Sequence, residues 1–220
     1  MTKGPRILTI NGGSSSIKFS LFSIVVPLEQ FIYGAIENIG TNKAKLHYTV
    51  AHSQQKNSFD VEANDHEQAA HHLLSWLERL QDFTSVVAIG HRVVHGMEHT
   101  EPELISDDLL SELKKISAFD PDHLPEEIKL IELFKKRYPD IKQMACFDTS
   151  FHASMPMNAK LLSIPRRYYD IGIRRYGFHG LSYAYLMEEL KNLIGNEAAK
   201  SKIILAHLGS GASIAAVKNG

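Results

Sequence analysis

Asn11-Gly-Gly-Ser-Ser-Ser-Ile-Lys18 is a polar turn opened by a glycine pair and set between two strand-like runs. Upstream, Arg6 to Ile10 is a short apolar run that reads as a buried strand. Downstream, Ser16 to Phe22 alternates: Ile17, Phe19 and Leu21 share one face, Lys18 and Ser20 the other, as in a half-buried strand. Phe31 to Ile36 and Lys45 to Val50 extend this β-rich opening. Then the period changes. Between Glu67 and Leu80, the residues Ala70, Leu73, Leu74, Leu77 and Leu80 fall at helical spacing. Ser85 to Ile89 reads as a second buried strand, and Gln143 to Phe147, ending at Asp148, as a third. Two helices are predicted between them: Ser106 to Ile116, with Ser106 as N-cap, and Pro125 to Phe134, with Pro125 at its start. A β-meander feeding a helix–strand alternation predicts an α/β fold, a mixed sheet with helices on its faces.

That is the element order of a ribonuclease-H-like domain, predicted over residues 1–150. After it, Thr149 to Gly180 is irregular and rich in aromatics and arginine. Ser182 to Leu193 is predicted helical, with Ser182 as N-cap, and Lys202 to Ala206 is predicted as a buried strand. That strand runs into His207-Leu-Gly-Ser-Gly-Ala-Ser213 and a second short strand, Ile214 to Val217. This end repeats the beginning. At an offset of 196 residues, Ile7 matches Ile203, Gly13 matches Gly209, Ser14 matches Ser210, and Asn11 falls opposite His207. The repeat predicts that a second, similar domain begins over residues 151–220. Asn219-Gly220 is a strong hairpin signal whose return strand lies outside the sequence, so the second domain is expected to be cut inside its opening hairpin.

Bulk properties exclude several classes. The chain has 220 residues, 44% hydrophobic and 22% charged, the make-up of a soluble globular protein. A formal net charge of -1 gives no global field for nucleic acid or an anionic membrane, so any phosphate site must be local. The single cysteine, Cys146, cannot form an internal disulfide, which fits a reducing compartment. No apolar run approaches the ~20 residues of a membrane span. Met1 to Arg6 holds no signal-peptide core, and a cytoplasmic location is expected.

The Asn11–Lys18 turn can aim successive backbone N–H groups at one point, with serine hydroxyls and Lys18 adding donors and charge. It is not a Walker A loop, because it lacks that loop's spacing and joins two strands. It reads either as an anion-binding concavity or as an ordinary hairpin. The second Gly/Ser turn favours the former, since two such loops could clamp opposite ends of a polyphosphate.

Gly90-His-Arg-Val-Val-His-Gly96 follows a buried strand directly, where α/β sheets face ligands. Arg92 there could grip a carboxylate or phosphate through its planar fork. His91, His95 and His99 have the spacing of a metal-binding helix, but the intervening valines and glycine argue against a helix. Asp148 follows another buried strand and reads either as an indirect Mg²⁺ or arginine partner or as a cap of the turn. His123, between prolines, reads as lying in an extended segment. His179, amid arginines, glycines and an aromatic, reads either as anion-facing or as structural. His66, His71 and His72 read as a solvated helix face. No Gly-x-Ser-x-Gly elbow is present, and Cys146 lacks a nucleophile's loop signature, so a hydrolase is disfavoured.

Together these segments resemble the acetate kinase family, within the acetate and sugar kinase, Hsp70 and actin superfamily. The resemblance is carried by Ile10–Lys18, Gly90–Gly96, His123-Leu-Pro125, Phe147-Asp-Thr-Ser-Phe-His152, Arg175–Gly180 and His207–Ser213. It implies two ribonuclease-H-like (actin-like ATPase) domains with the active site between them. It also implies a homodimer and in-line phosphoryl transfer between Mg-ATP and acetate, with Mg²⁺ or Mn²⁺ as the metal. Propionate or butyrate as acceptor, and a phosphate-binding remnant without catalysis, are the alternatives. Carried over by position, Asn11 lies near the metal and the phosphates, and Ser14, Ser16 and Lys18 line the first phosphate loop. Arg92 binds the carboxylate and the phosphoryl group. His123 and His179 contact the phosphoryl group, His179 in the transition state. Asp148 is the catalytic aspartate. His207, Gly209, Ser210 and Gly211 form the second phosphate loop, and Val94 and Phe178 wall the methyl pocket. The sequence departs from the family at Met97, commonly glycine, and at Asp122, commonly a leucine of the methyl pocket. The family also continues for roughly as many residues again. That half supplies a second active-site arginine, the adenosine-binding segment and a metal-binding glutamate.

Overall fold

β1 (Arg6–Gly12) and β2 (Ser16–Ser23) pair antiparallel around the glycine-opened turn, in a register that sets Asn11 opposite Lys18 and Gly12 opposite Ile17. β3 (Glu29–Glu37), β4 (Lys45–Val50) and β5 (Gln55–Asp60) continue the meander, each antiparallel to the one before. α1 (His66–Leu77) follows, then β6 (Val86–Val93), which pairs with β1 in parallel. β7 (Glu103–Leu104), α2 (Asp107–Ile116), α3 (Leu124–Arg137) and β8 (Lys142–Phe147) come next. The sheet runs β5-β4-β3-β2-β1-β6-β8-β7 and mixes parallel with antiparallel pairs, as the alternation predicts. This is a computed structural model, and it describes residues 4–25, 27–209 and 211–220.

The chain forms two units: Met1–Val93 with Glu103–Cys146, and Val94–Pro102 with Phe147–Gly220. In the first unit, alternation decides which side of the sheet is core. Leu8, Ile10, Ile17, Phe19, Leu21 and Ile89 are buried with Leu73, Leu74 and Leu77 of α1 and Leu130 and Phe134 of α3. The approach is close at one point. A Cβ on Gly12 would lie 3.2 Å from Leu130 Cδ2, so a bare glycine lets α3 seat against the end of β1. The opposite side of β1, carrying Ile7, Thr9 and Asn11, is partly open. That one-sided burial is ordinary for antiparallel strands.

Helix ends follow local chemistry. Ser106 caps α2 as predicted, accepting from the Leu109 N–H at 3.0 Å. Asp65 caps α1, accepting from the Gln68 N–H at 2.8 Å. α3 starts at Leu124, with Pro125 in its first turn and His123 as its N-cap. His123 therefore ends a helix rather than lying in an extended segment; proline's fixed φ suits the first turn as well as it suits extended chain. β5 is an exposed edge strand without apolar alternation, which is why periodicity misses it.

The second unit holds the helical turns α4 (Met157–Lys160) and α5 (Arg167–Asp170), the helix α6 (Gly180–Ile194), the turn α7 (Asn196–Ala199), and an antiparallel pair, β9 (Lys202–Leu208) and β10 (Ala212–Lys218). Its core gathers Tyr183, Met187, Ala199 and Leu205. One face of β9–β10 joins that core through Ile203, Leu205, Ala215 and Val217. The other presents Ile204, Leu208 and Ile214, each more than 70% exposed. Ser182 is not the cap of α6, because the helix begins two residues earlier at His179–Gly180.

His91 is fully buried on the core side of β6, where its Nε2–H donates to Gln143 Oε1 at 2.9 Å and its ring meets Phe134 edge-on. Burial pushes its pKa down to about 4, and the glutamine bond offsets only part of this. The unfolded chain, with histidine near 6.5, therefore binds the proton first. This contribution is complete above pH 6.5 and is lost as pH falls towards 4. Urea unfolding should show a loss on the order of 3 kcal/mol across that window from this group. His91→Leu should show a shallower pH dependence over the same range, and an unchanged slope would rule out His91 as its source.

Candidate active site

Register places the first group of candidates. Asn11 and Lys18 are directly paired across β1 and β2, so their side chains leave the same face. Ser16 lies two residues from Lys18 and shares that face. Arg92 follows His91 on β6, and His91 points to the core, so Arg92 points the other way. Its Nη1 donates to Asn11 Oδ1 at 3.0 Å. Two residues from separate sequence motifs thus meet on the partly open face, away from α3. Between β1 and β2 the turn is held by Gly13 N–H donating to the Ser16 carbonyl at 2.7 Å and by Ile39 N–H donating to the Ser15 carbonyl at 3.1 Å. The N–H groups of Ser14 and Ser15 donate to no acceptor among the described residues, which leaves two adjacent donors at an exposed, glycine-opened turn.

His123 lies elsewhere in this unit. Its Nδ1–H donates to Asp120 Oδ1 at 2.9 Å, and it lines a cavity of about 240 Å³ with Gly12, Gly13, His66 and Asp122. His66 also departs from its reading as part of a solvated face. Its Nε2 lies 2.7 Å from the Gly13 carbonyl oxygen and its ring is half-buried. Of the three histidines on that helix, His71 and His72 are exposed to solvent. The signal that could have found His66 is Asn64-Asp65 before it, which marks a helix start and so places the next side chain beside a neighbouring loop.

The second unit gathers the other histidines. His179 caps α6 with φ +58°, in the left-handed region that an ordinary side chain enters at a cost of roughly 1–2 kcal/mol. Its ring stacks on that of His207 at 4.0 Å and 16°. His179 Nδ1 is 2.7 Å from Ser213 Oγ, which is 2.6 Å from the Tyr183 hydroxyl, and His207 Nδ1 is 3.0 Å from Ser182 Oγ. If Tyr183 donates to Ser213 and Ser213 to Nδ1, the His179 proton sits on Nε2. Nε2 is also the atom that a Cβ on Gly211 would meet at 3.4 Å. Gly209 N–H donates to the Gly211 carbonyl at 3.0 Å, closing the β9–β10 turn as Gly13 closes the first. Ser210 lies outside the described residues. Ser182, Ser213 and Tyr183 were not singled out by motif, although Ser213 ends the quoted Gly/Ser segment.

Asp148 is 1% exposed, and its backbone carbonyl accepts from the Gly180 N–H at 2.9 Å. Thr149 Oγ1 accepts from the Gly96 N–H at 3.1 Å. Val94 is buried, while Phe178 is partly exposed and meets the His95 ring edge-on. His91, His95 and His99 go three ways. His91 bonds Gln143, His95 Nδ1 accepts from the Met97 N–H, and His99 stacks on Phe147. No cluster of three or more His, Cys, Asp or Glu able to hold a metal occurs among the described residues. Met97 has φ +49°, which gives a physical reason for the glycine common there.

The profile of the acetokinase family matches residues 6–220. The chain belongs to the acetokinase family. It is 40% identical over 219 residues to an acetate kinase of Rhizobium meliloti, covering 97% of this chain and 55% of that protein. It is likewise 40% identical over 221 residues to an acetate kinase of Bacillus subtilis, covering 98% and 55%. Among solved structures, a propionate kinase from Francisella tularensis superposes with a TM-score of 0.87 at 34% identity, over 98% of this chain and 55% of that one. An acetate kinase from Porphyromonas gingivalis gives 0.85 at 31%, over 99% and 56%. This family member thus has the actin-like α/β fold of those kinases and spans about half their length. No helix among the described residues is long and apolar enough to cross a membrane.

Gly180 offers a test of the second unit. A Cβ there would lie 2.1 Å from the Asp148 carbonyl oxygen and 2.8 Å from Phe151 Cβ. Gly180→Ala must separate α6 from the Asp148 turn and should cost roughly 3 kcal/mol. Thermal unfolding followed by near-UV circular dichroism measures this, and a melting point within 1–2 °C of the parent would contradict it.

Proposed function

We propose that this chain supplies the acceptor-binding and first phosphate-binding parts of an ATP-dependent acetate kinase, and the beginning of its nucleotide-binding domain. The observation that carries the reading is the Arg92–Asn11 pair on the open sheet face, with Lys18 beside it and the Ser14–Ser15 amides at the adjoining turn. A guanidinium, an ammonium and two N–H groups without an acceptor among the described residues suit an anionic acceptor and the phosphates of ATP. In the reaction a carboxylate oxygen attacks the γ-phosphorus. The new O–P bond forms as the bond to the bridging oxygen breaks, and that electron pair leaves on ADP. Little covalent work falls to the protein; positioning and charge neutralisation carry the step. Arg92 orients the carboxylate and offsets charge on the equatorial oxygens. His179, Asp148, His207, Gly209 and Gly211 are assigned, by family position, to the transferring phosphoryl group and the nucleotide.

Asn11 offers an amide oxygen, a hard donor with a second lone pair beyond the one facing Arg92. Mg²⁺ takes such donors alongside water and phosphate oxygens, and Mn²⁺ accepts the same donor class. The fit is to a metal arriving with the nucleotide, which neutralises phosphate charge. Val94 and Phe178 are assigned to the acyl tail. Asp122 in place of a leucine, together with the likeness to a propionate kinase, makes propionate the second acceptor to measure. A homodimer and a cytoplasmic location belong to the same proposal.

The gene product carrying this chain should form acyl phosphate from acetate and Mg-ATP, trapped as hydroxamate, with propionate and butyrate run in parallel. Arg92→Ala should lower kcat/KM by about 10²–10³ while circular dichroism stays unchanged. Near-parental turnover would remove Arg92 from its assigned role.

A further inference from the structure

His66 joins α1 to the Gly13–Ser14 peptide: its Nε2 lies 2.7 Å from the Gly13 carbonyl oxygen. A carbonyl only accepts, so the 2.7 Å contact requires a proton on His66 Nε2. In a trans peptide the C=O and the following N–H point in opposite directions. Holding the Gly13 carbonyl towards α1 therefore turns the Ser14 N–H away from α1, to the outer side of the turn. The other bonds of the turn fix the Gly13 N–H and the carbonyls of Ser15 and Ser16, and among the described residues His66 is the one donor to the Gly13 carbonyl. Gly13 has no Cβ, so rotation of the adjoining peptide is cheap. The 240 Å³ cavity, lined by Gly12, Gly13 and His66, gives it room to turn.

His66 itself is firmly placed. It is the first residue of α1, directly after the Asp65 cap, and Ala69, Ala70 and Leu73 bury the same helix in the core. A ring on a packed helix fixes a neighbouring loop better than a side chain on another loop would. We infer that His66 is the positioning residue of the first phosphate loop, locking the Gly13–Ser14 peptide so that the Ser14 N–H faces a bound phosphate. It touches no substrate atom. The inference rests on the proposal that this turn binds phosphate.

The test uses ¹⁵N-labelled 220-residue chain and inorganic tripolyphosphate as probe. In the free chain, relaxation dispersion should be flat at the Ser14 amide. His66→Ala should introduce microsecond-to-millisecond exchange there, and His66→Gln, whose amide N–H reaches similarly, should suppress it. Titration should give saturable shifts at Ser14 and Ser15, with affinity at least tenfold weaker in His66→Ala and within threefold of the parent in His66→Gln. His66→Met keeps the bulk without the donor and should behave like alanine, which covers loss of packing. Flat dispersion and undiminished affinity in both donor-less variants would overturn the positioning role while the phosphate reading stands. A parent chain that shifts neither amide at millimolar tripolyphosphate would overturn the phosphate reading, and this inference with it.

Discussion

α3 packs closely against the end of β1 at Gly12, where an added Cβ would lie 3.2 Å from Leu130 Cδ2. α1 and α3 together make that side of the sheet core, and strand alternation then sends every second residue of β1, β2 and β6 to the other side. Asn11, Ser16, Lys18 and Arg92 share a face because each is one residue out of phase with a core residue. A side chain at Gly12 would require Leu130 to give way by a few tenths of an ångström, one turn from Phe134, whose ring packs on the buried His91.

The second unit solves a different problem. It places an imidazole at the head of a helix, in a backbone conformation that side chains avoid. The strain at His179 is sustained by its surroundings: Gly180 is pinned to the Asp148 carbonyl, Ser213 holds Nδ1, and His207 lies flat against the ring. Strained residues persist where packing over-determines them, and such places tend to be functional.

Much of this was legible in the residues. The alternation of Ser16–Phe22 and the helical spacing from Ala70 to Leu80 gave the sheet and α1. The same out-of-phase placement put Lys18 opposite the core. Three things were hidden. β5 lacks periodicity because neither of its faces is buried. Val94–Pro102 folds with chain that begins more than 40 residues later, a long-range association that no local pattern reports. His66 looked like a solvated residue because its role comes from a carbonyl 53 positions away. Ser182 misled for the opposite reason. It is a good cap by type, but His179 and Gly180 had already started the helix, and its hydroxyl went to His207 instead.

Among the described residues, the β9–β10 hairpin is covered on one side by the core of its unit. It has less apolar contact to lose on opening than β1 or β6, which sit inside an eight-stranded sheet. Its amide hydrogens should exchange with solvent earlier than theirs. Each opening would unstack His207 and withdraw Ser213 from Nδ1, releasing His179 from its strained pose. Closure of this hairpin and persistence of the imidazole pair are therefore coupled.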